Sequence, residues 1–432
     1  LQECEAANVF MIPLDDSRQW FRYHHLFRDF LQITLGESYS PETVPSLHRR
    51  ASAWFAEHGF IEEALQHAVS AGDMETAVKL VALHRHELIN QESYRRLSRW
   101  LGMFPREIIE GSPDLLLIQA RFALTVRLDI VELYQLVGKI DALFDNLDLE
   151  PEHAQCLAAE NDALRAAALF YNDPDPQTSL TSCKNALEVL PVDWYIMRSY
   201  CWMFGAVALQ LIGDLSSAYE WIGQGRREDL TAPDGPMARN AAAEGFVNLI
   251  AANLTGLQYS GEIMLGGTKK SGFWETKGWG NHFLACAHYY RNDLDLAQHH
   301  AQQTFNNRYY HPSANVDSAF ILVLIQQARG KPDKAREILQ TALDFANELR
   351  SPPYIFMVQS FQAELAVMQG RARGLVSWAE QLYTQMQLTP VHTFYSPPLT
   401  IPKVLLASDT ADGLAIATEC LQRIHEYAEF TH

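Results

Sequence analysis

Gly213-Asp214-Leu215-Ser216-Ser217-Ala218 decides the fold because it recurs. Gly72-Asp73-Met74-Glu75-Thr76-Ala77, Asn292-Asp293-Leu294-Asp295-Leu296-Ala297 and Gly330-Lys331-Pro332-Asp333-Lys334-Ala335 follow the same pattern. Gly or Asn suits the left-handed position that ends a helix, the Asp beside it can cap the next helix, and the Ala five residues on lets paired helices approach. Weaker copies fall at Leu128-Asp129, Asn172-Asp173, Asn253, Gly370 and Ser408-Asp409, and from Leu128 onward successive turns lie 38 to 44 residues apart. A period near 40 with two helices per unit predicts an all-α, tetratricopeptide-like superhelix of about eight helix pairs over residues 112–432.

Residues 41–111 also read as helices, but their turns do not keep the period, which predicts a connecting helical arm. The first 40 residues differ again. Val9-Phe10-Met11-Ile12-Pro13-Leu14 and Trp20-Phe21-Arg22-Tyr23 are strand-like runs around the turn composition Asp15-Asp16-Ser17-Arg18. A helix from about His24 to Leu35 follows, with Leu26, Phe27, Phe30 and Leu31 at helical spacing. Residues 1–40 therefore read as the C-terminal part of a winged-helix domain with a β-hairpin, too acidic and aromatic for DNA contact.

The whole chain is acidic: 34 Lys and Arg against 52 Asp and Glu in 432 residues leave a formal charge of −18, which repels a phosphate backbone. Apolar residues make up 48% and charged residues 20%, a globular profile that excludes wholesale disorder. Cys4, Cys156, Cys183, Cys201, Cys286 and Cys420 show neither disulfide-framework nor zinc spacing, and a reducing cytoplasm fits them best. No run reaches the roughly 18 apolar residues of a membrane span, so a soluble protein is expected. Leu1-Gln2-Glu3-Cys4-Glu5 has no initiator Met and no signal-peptide character, and it reads as mid-helix, as in a fragment of a longer protein.

Catalytic and metal motifs are not indicated. Leu265-Gly266-Gly267-Thr268-Lys269-Lys270-Ser271-Gly272 lacks the Gly before Lys and the preceding strand of a phosphate loop, and reads as an inter-helix loop. His24-His25 and His299-His300 are adjacent pairs, about 100° apart on a helix, and cannot readily share an ion. His84 and His86 are no better placed, and Glu62-Glu63 reads as a solvated face. No acid, base and nucleophile assemble, so no enzyme is expected.

The aromatics point to binding. In tetratricopeptide-like arrays, which this pattern resembles, the first helix of each pair lines the concave face. With the turn residue set at position 15, positions 2, 5, 9 and 12 should face the groove. The turn at Gly213 selects Tyr200, Met203, Val207 and Gln210, and Asn292 selects Trp279, His282, Cys286 and Tyr289. Gly330 selects Asp317, Phe320, Leu324 and Gln327, and Gly370 selects Met357, Ser360, Glu364 and Val367. From these the expected ligand-binding residues are Tyr200, Met203, Gln210, Trp279, His282, Tyr289, Asp317, Phe320, Gln327 and Glu364. Aromatic walls with sparse polar groups suit a small molecule. Any single aromatic among them can instead be inter-helix core, but Asp317 and Glu364 are harder to place there, because an unpaired buried carboxylate is costly. Trp274, Trp279, Tyr309 and Tyr310 sit near irregular connections and could close over a ligand.

Three N-terminal stretches carry a family resemblance. Arg22-Tyr23-His24-His25-Leu26-Phe27-Arg28-Asp29-Phe30-Leu31, Leu47-His48-Arg49-Arg50-Ala51-Ser52-Ala53-Trp54-Phe55 and Glu63-Ala64-Leu65-Gln66-His67-Ala68 with Ala71-Gly72-Asp73 resemble MalT-type regulators, the large ATP-dependent LuxR-family transcriptional activators of the STAND class. That resemblance implies an order of nucleotide-binding domain, winged helix, helical arm, superhelical sensor and DNA-binding helix-turn-helix, of which this chain resembles the middle. ATP would belong to a nucleotide-binding domain before Leu1, so no cofactor is expected in this chain. DNA would be met only through a helix-turn-helix after His432. The implied function is inducer sensing and signal relay, with a small-molecule inducer, regulatory proteins and self-association as partners and no membrane. A scaffold whose groove receives a peptide or regulatory protein is the alternative.

Overall fold

The computed structural model describes residues 11–431 apart from 14, 18–19, 39, 145–148, 172–174, 230–235, 268–273, 309–310, 385, 387, 389–392 and 409. The chain divides into two compact units, residues 1–85 with 98–108, and residues 86–97 with 109–432. This division differs from the three segments read from the sequence. The hairpin segment and most of the arm form one unit, and residues 86–97 go with the repeats.

In the first unit β1 (Met11–Pro13) pairs antiparallel with β2 (Phe21–Tyr23), Met11 opposite Tyr23. The turn between them is tied by Trp20 N–H donating to Asp15 Oδ1 at 2.8 Å. Helices α1 (His25–Ser38), α2 (Thr43–Glu57), α3 (Ile61–Ser70), α4 (Met74–Asn90), α5 (Tyr94–Leu101) and α6 (Arg106–Glu110) follow, and the division into units falls inside α4, α5 and α6. Leu65, Ala68, Val81 and Trp100 are buried in this unit, and Trp20 meets Trp54 and Phe60 edge-on with centroids 6.1 and 5.1 Å apart. Ser52 Oγ donates to the carbonyl of Ala64 at 2.8 Å, which fixes α2 against α3.

The second unit is a solenoid of helix pairs, eight of them among the described residues. The first is α7 (Pro113–Phe122), prolonged by the π-helical turn Ala123–Arg127, with α8 (Ile130–Phe144). Then come α9 (Pro151–Tyr171) with α10 (Pro176–Val189), α11 (Tyr195–Leu211) with α12 (Leu215–Asp229), and α13 (Pro236–Ile250) with α14 (Leu254–Gly267). The fifth and sixth pairs are α15 (Trp274–Tyr290) with α16 (Leu294–Asn306), and α17 (Pro312–Ala328) with α18 (Pro332–Glu348). The last two are α19 (Pro352–Met368) with α20 (Val376–Thr384), and α21 (Thr400–Ala407) with α22 (Ala411–Thr431).

From α9 to α17 each first helix packs on its own partner, on the second helix before it and on the next first helix, so the first helices make an inner layer. Sequence explains the layering. Along α17 nearly every residue from Ser313 to Ile325 is buried, as a helix enclosed on all sides requires, whereas α18 buries only a stripe of Ala335, Ile338, Leu339, Ala342, Phe345 and Ala346.

The turns are built as their residues suggest. Gly213, Asn292, Gly330 and Gly370 have φ of +90°, +61°, +70° and +70°, and Leu128 joins them at +49°. The N–H after each Gly or Asn reaches back five residues, as from Asp214 to the Leu209 carbonyl at 3.0 Å, the double closure expected of a left-handed helix end. Asp73, Asp129 and Asp214 then accept from the backbone N–H three residues on at 3.1, 2.9 and 2.9 Å. Asp293 is the exception: its side chain makes no cap bond and lies 3.4 Å from His288 Nδ1. At the Asn253 copy the left-handed residue is Ala252 (φ +51°), while Asn253 caps α14 through Gly256 N–H at 3.1 Å. Ser408 keeps a right-handed backbone, and Asp409 and Asn172-Asp173 lie outside the described residues. Ala77, Ala218, Ala297 and Ala335 are all fully buried.

Contacts between distant pairs close the array on itself, among them α11 of the third pair against α22 of the eighth. The π-helical turn of the first pair packs against α17 of the sixth, and Ser351 Oγ, at the start of α19, donates to the carbonyl of Arg127. Among the described residues no helix is long and apolar enough to cross a membrane.

Candidate functional site

Where the first pair meets the sixth, the inner layer leaves a cavity of about 710 Å³, part of it open to solvent. Tyr200, Met203 and Phe204 of α11 form one wall, Phe246 of α13 and Trp279 of α15 another. Leu124, Thr125 and Leu128 close it from the first pair, His311 and Ser313 from the start of α17. Trp279 meets Phe246 edge-on at 4.8 Å and His311 at 5.0 Å between ring centroids.

Polar groups sit at defined points of this wall. Glu92, from the turn between α4 and α5, has φ +53° although it is not glycine, and it is only 6% exposed. Its Oε1 accepts from Thr276 Oγ1 at 2.8 Å and from Thr276 N–H at 3.4 Å. A left-handed, buried glutamate persists only where its surroundings hold it. Behind Tyr200 lies Arg121, 1% exposed, whose guanidinium stands 4.9 Å from the Tyr200 centroid and 5.3 Å from that of Tyr94. Its Nη2 donates to Tyr94 Oη at 2.7 Å. The π-helical turn is stabilised by Thr125 Oγ1 donating to the Arg121 carbonyl at 2.9 Å.

Of the ten residues selected from the sequence, Tyr200, Met203 and Trp279 line this cavity. Gln210 is buried near the Val247 carbonyl at 3.5 Å, and Gln327 accepts from Gln369 Nε2 at 3.0 Å. The remaining five gather farther along the inner layer, under the segment Thr393–Ser396. Asp317, fully buried, accepts the backbone N–H of Phe394 on Oδ2 at 2.5 Å and that of Tyr395 on Oδ1 at 3.2 Å. His282 Nε2 lies 3.0 Å from Asp317 Oδ2, and its Nδ1 lies 3.0 Å from Ser318 Oγ. A carboxylate only accepts, so Nε2 carries the proton. Burial and the Asp317 charge push the neighbouring Cys286 thiol well up. Phe320 stacks on Phe361 at 4.3 Å and meets Tyr395 edge-on at 5.1 Å, and Tyr289 meets Phe394 edge-on at 5.1 Å. Glu364 accepts from Thr400 Oγ1 at 2.8 Å and from Lys403 Nζ at 2.5 Å. Tyr309 and Tyr310 lie outside the described residues, as does the side chain of Trp274.

Sequence reading missed Glu92, Thr276, Phe246 and His311. For Phe246 the signal was present. Setting position 15 on the left-handed Ala252, where Asn253 was read, selects Ala242 and Phe246, and both line the cavity. Glu92 carried no such signal, since it lies 184 residues from Thr276 and outside the repeats.

Residues 1–43 match the MalT winged helix domain family. The chain is also 30% identical over 234 residues to the HTH-type transcriptional regulator MalT of Cronobacter sakazakii, a match that covers 53% of this chain and 25% of that relative. The chain thus spans about a quarter of the length of the curated relative it matches. Among solved structures, yeast Tom70 aligns over 93% of this chain and 80% of its own at 13% identity, with a TM-score of 0.40. The resemblance to MalT-type regulators read from the N-terminal residues is borne out.

Proposed function

We propose that this chain is the effector-sensing and signal-relay region of a MalT-like transcriptional regulator, and that its effector is a small molecule held in the cavity between the first and sixth helix pairs. One observation carries the reading. The cavity is walled by first helices of pairs one, three, four, five and six, so an occupant touches residues from Thr125 to Ser313 at once. An effector that binds one curvature of the array better than another shifts the population toward it, by its differential affinity and no more. In a stacked array small rotations between neighbours add, which suits relay. In this reading ATP hydrolysis and DNA contact belong to other segments of the regulator, consistent with the charge of −18 on these residues. The role is binding, not catalysis.

Calorimetry against a metabolite panel tests the proposal. A ligand found in this way should lose about tenfold or more in affinity with Trp279→Ala, and again with Ala242→Leu, which fills the cavity and leaves its aromatic walls in place. Retained affinity in both variants places the ligand elsewhere and refutes the assignment.

A further inference from the structure

We propose that the inner face of α15, α17 and α19 is a peptide-binding groove, occupied in this structure by the chain's own Thr393–Pro398 and able to exchange it for a partner segment with two adjacent aromatic residues. This site is separate from the cavity at Trp279, and the proposal stands or falls independently of the effector reading.

The recognition chemistry is that of a bound peptide. A single buried carboxylate, Asp317, takes two consecutive backbone N–H groups, which reads main chain regardless of side chain. The side chains are read separately. Phe394 lies against Tyr289 and Tyr290, with centroids 5.1 and 5.5 Å away, and Tyr395 meets the stacked rings of Phe320 and Phe361 edge-on at 5.1 and 4.7 Å, only 6% exposed. The phenol closes a chain of hydroxyls. Thr400 Oγ1 spends its one proton on Glu364 Oε2, so at 2.5 Å Tyr395 Oη is the donor to Thr400. Burial and the Glu364 charge hold that phenol far above its ordinary pKa, so it stays a donor.

The strap is the removable part. The helices beneath carry their own backbone ladders, whereas among the described residues no backbone-to-backbone hydrogen bond ties 393–396 to a helix. Its internal bonds are local, Thr393 Oγ1 to the Tyr395 carbonyl at 2.8 Å and Leu399 N–H to the Ser396 carbonyl at 3.1 Å. A segment held by side-chain pockets, two N–H bonds to Asp317, the Tyr395 phenol and a long bond from Tyr290 Oη to the Phe394 carbonyl at 3.5 Å opens at lower free energy than the helices it covers.

The test uses the labelled peptide acetyl-Thr-Phe-Tyr-Ser-Pro-Pro-amide and fluorescence polarisation. The Phe394→Ala/Tyr395→Ala double variant of the full chain, its pockets vacated and Asp317 intact, should bind the peptide saturably. The wild type, with its own strap in competition, should bind about tenfold or more weakly, and so should the double variant offered a peptide N-methylated at the Phe and Tyr amides. Absence of saturable binding to a double variant with native circular dichroism overturns the proposal, as does indifference to N-methylation. If the double variant fails to fold, hydrogen exchange in the wild type decides. Phe394 and Tyr395 amides exchanging about tenfold or more faster than the centres of α17 and α19 support it, and exchange only at the rate of those centres overturns it.

Discussion

Asp317→Asn removes one acceptor from a place where three donors converge. The carboxylate, itself fully buried, receives Phe394 N–H, Tyr395 N–H and His282 Nε2. An amide that keeps its oxygen at the Oδ2 position retains two of them and turns an NH₂ toward Tyr395 N–H. That orphaned buried donor costs about 1–3 kcal/mol, and the two retained bonds lose their charge assistance, about 0.5–1.5 kcal/mol each. Relief from burying a charge offsets part of this, which leaves a net loss of about 2–4 kcal/mol. Urea denaturation followed by far-ultraviolet circular dichroism reads it as a midpoint about 1 M lower, for a slope near 3 kcal/mol/M. Amide exchange at Tyr395 should rise with it. A loss under about 1 kcal/mol, with Tyr395 exchange unchanged, would refute the view that this carboxylate holds the strap.

Other outcomes follow from the packing and charge. His300 is partly buried beside His288 and His299, and burial first, then those two rings, lower its pKa from 6.5 to about 4. The unfolded chain therefore binds the extra proton between those values, and stability falls as pH drops from about 6.5 to 4, by about 1–2 kcal/mol after allowance for solvent screening. Melting across that window should be shallower for His300→Gln. Gly245→Ala would put a methyl 2.2 Å from Cε2 of fully buried Phe283, and about 1–3 kcal/mol of overpacking should appear in urea unfolding. Arg350 is exposed at φ +51°, so Arg350→Gly should raise the melting temperature, whereas Gly330→Ala at φ +70° should lower it, each by about 1 kcal/mol of stability.

Most of the fold was legible because the turns are local. A left-handed residue, a cap beside it and a small residue one turn later are all written within six positions, and Gly213-Asp214 with Ala218 shows each part in place. The inward register was legible for the same reason, since it needs only the distance from a turn. What no local signal could show is which inner residues meet a cavity and which meet other chain. Met203 and Phe320 hold the same register position on their helices, yet one lines the cavity and the other lies under Tyr395. The difference comes from pairings 78 and 224 residues apart, Asp317 with Tyr395 and Ser351 with Arg127. Asp317 and Glu364 were hard to picture as core for want of partners. Those partners, Phe394, Tyr395, Thr400 and Lys403, lie after α20.

The contact between Ser351 and Arg127 bears on how the second unit comes apart. An open array of repeats unravels from its ends, because each unit is held by nearest neighbours alone. Here the first pair is fastened to the sixth and seventh, so peeling it off also breaks the seam beside α17. Fraying at that end is suppressed, and the six pairs inside the loop should melt as one cooperative block. Ser351→Ala should loosen the block and reveal itself as a broader unfolding transition as well as a lower midpoint.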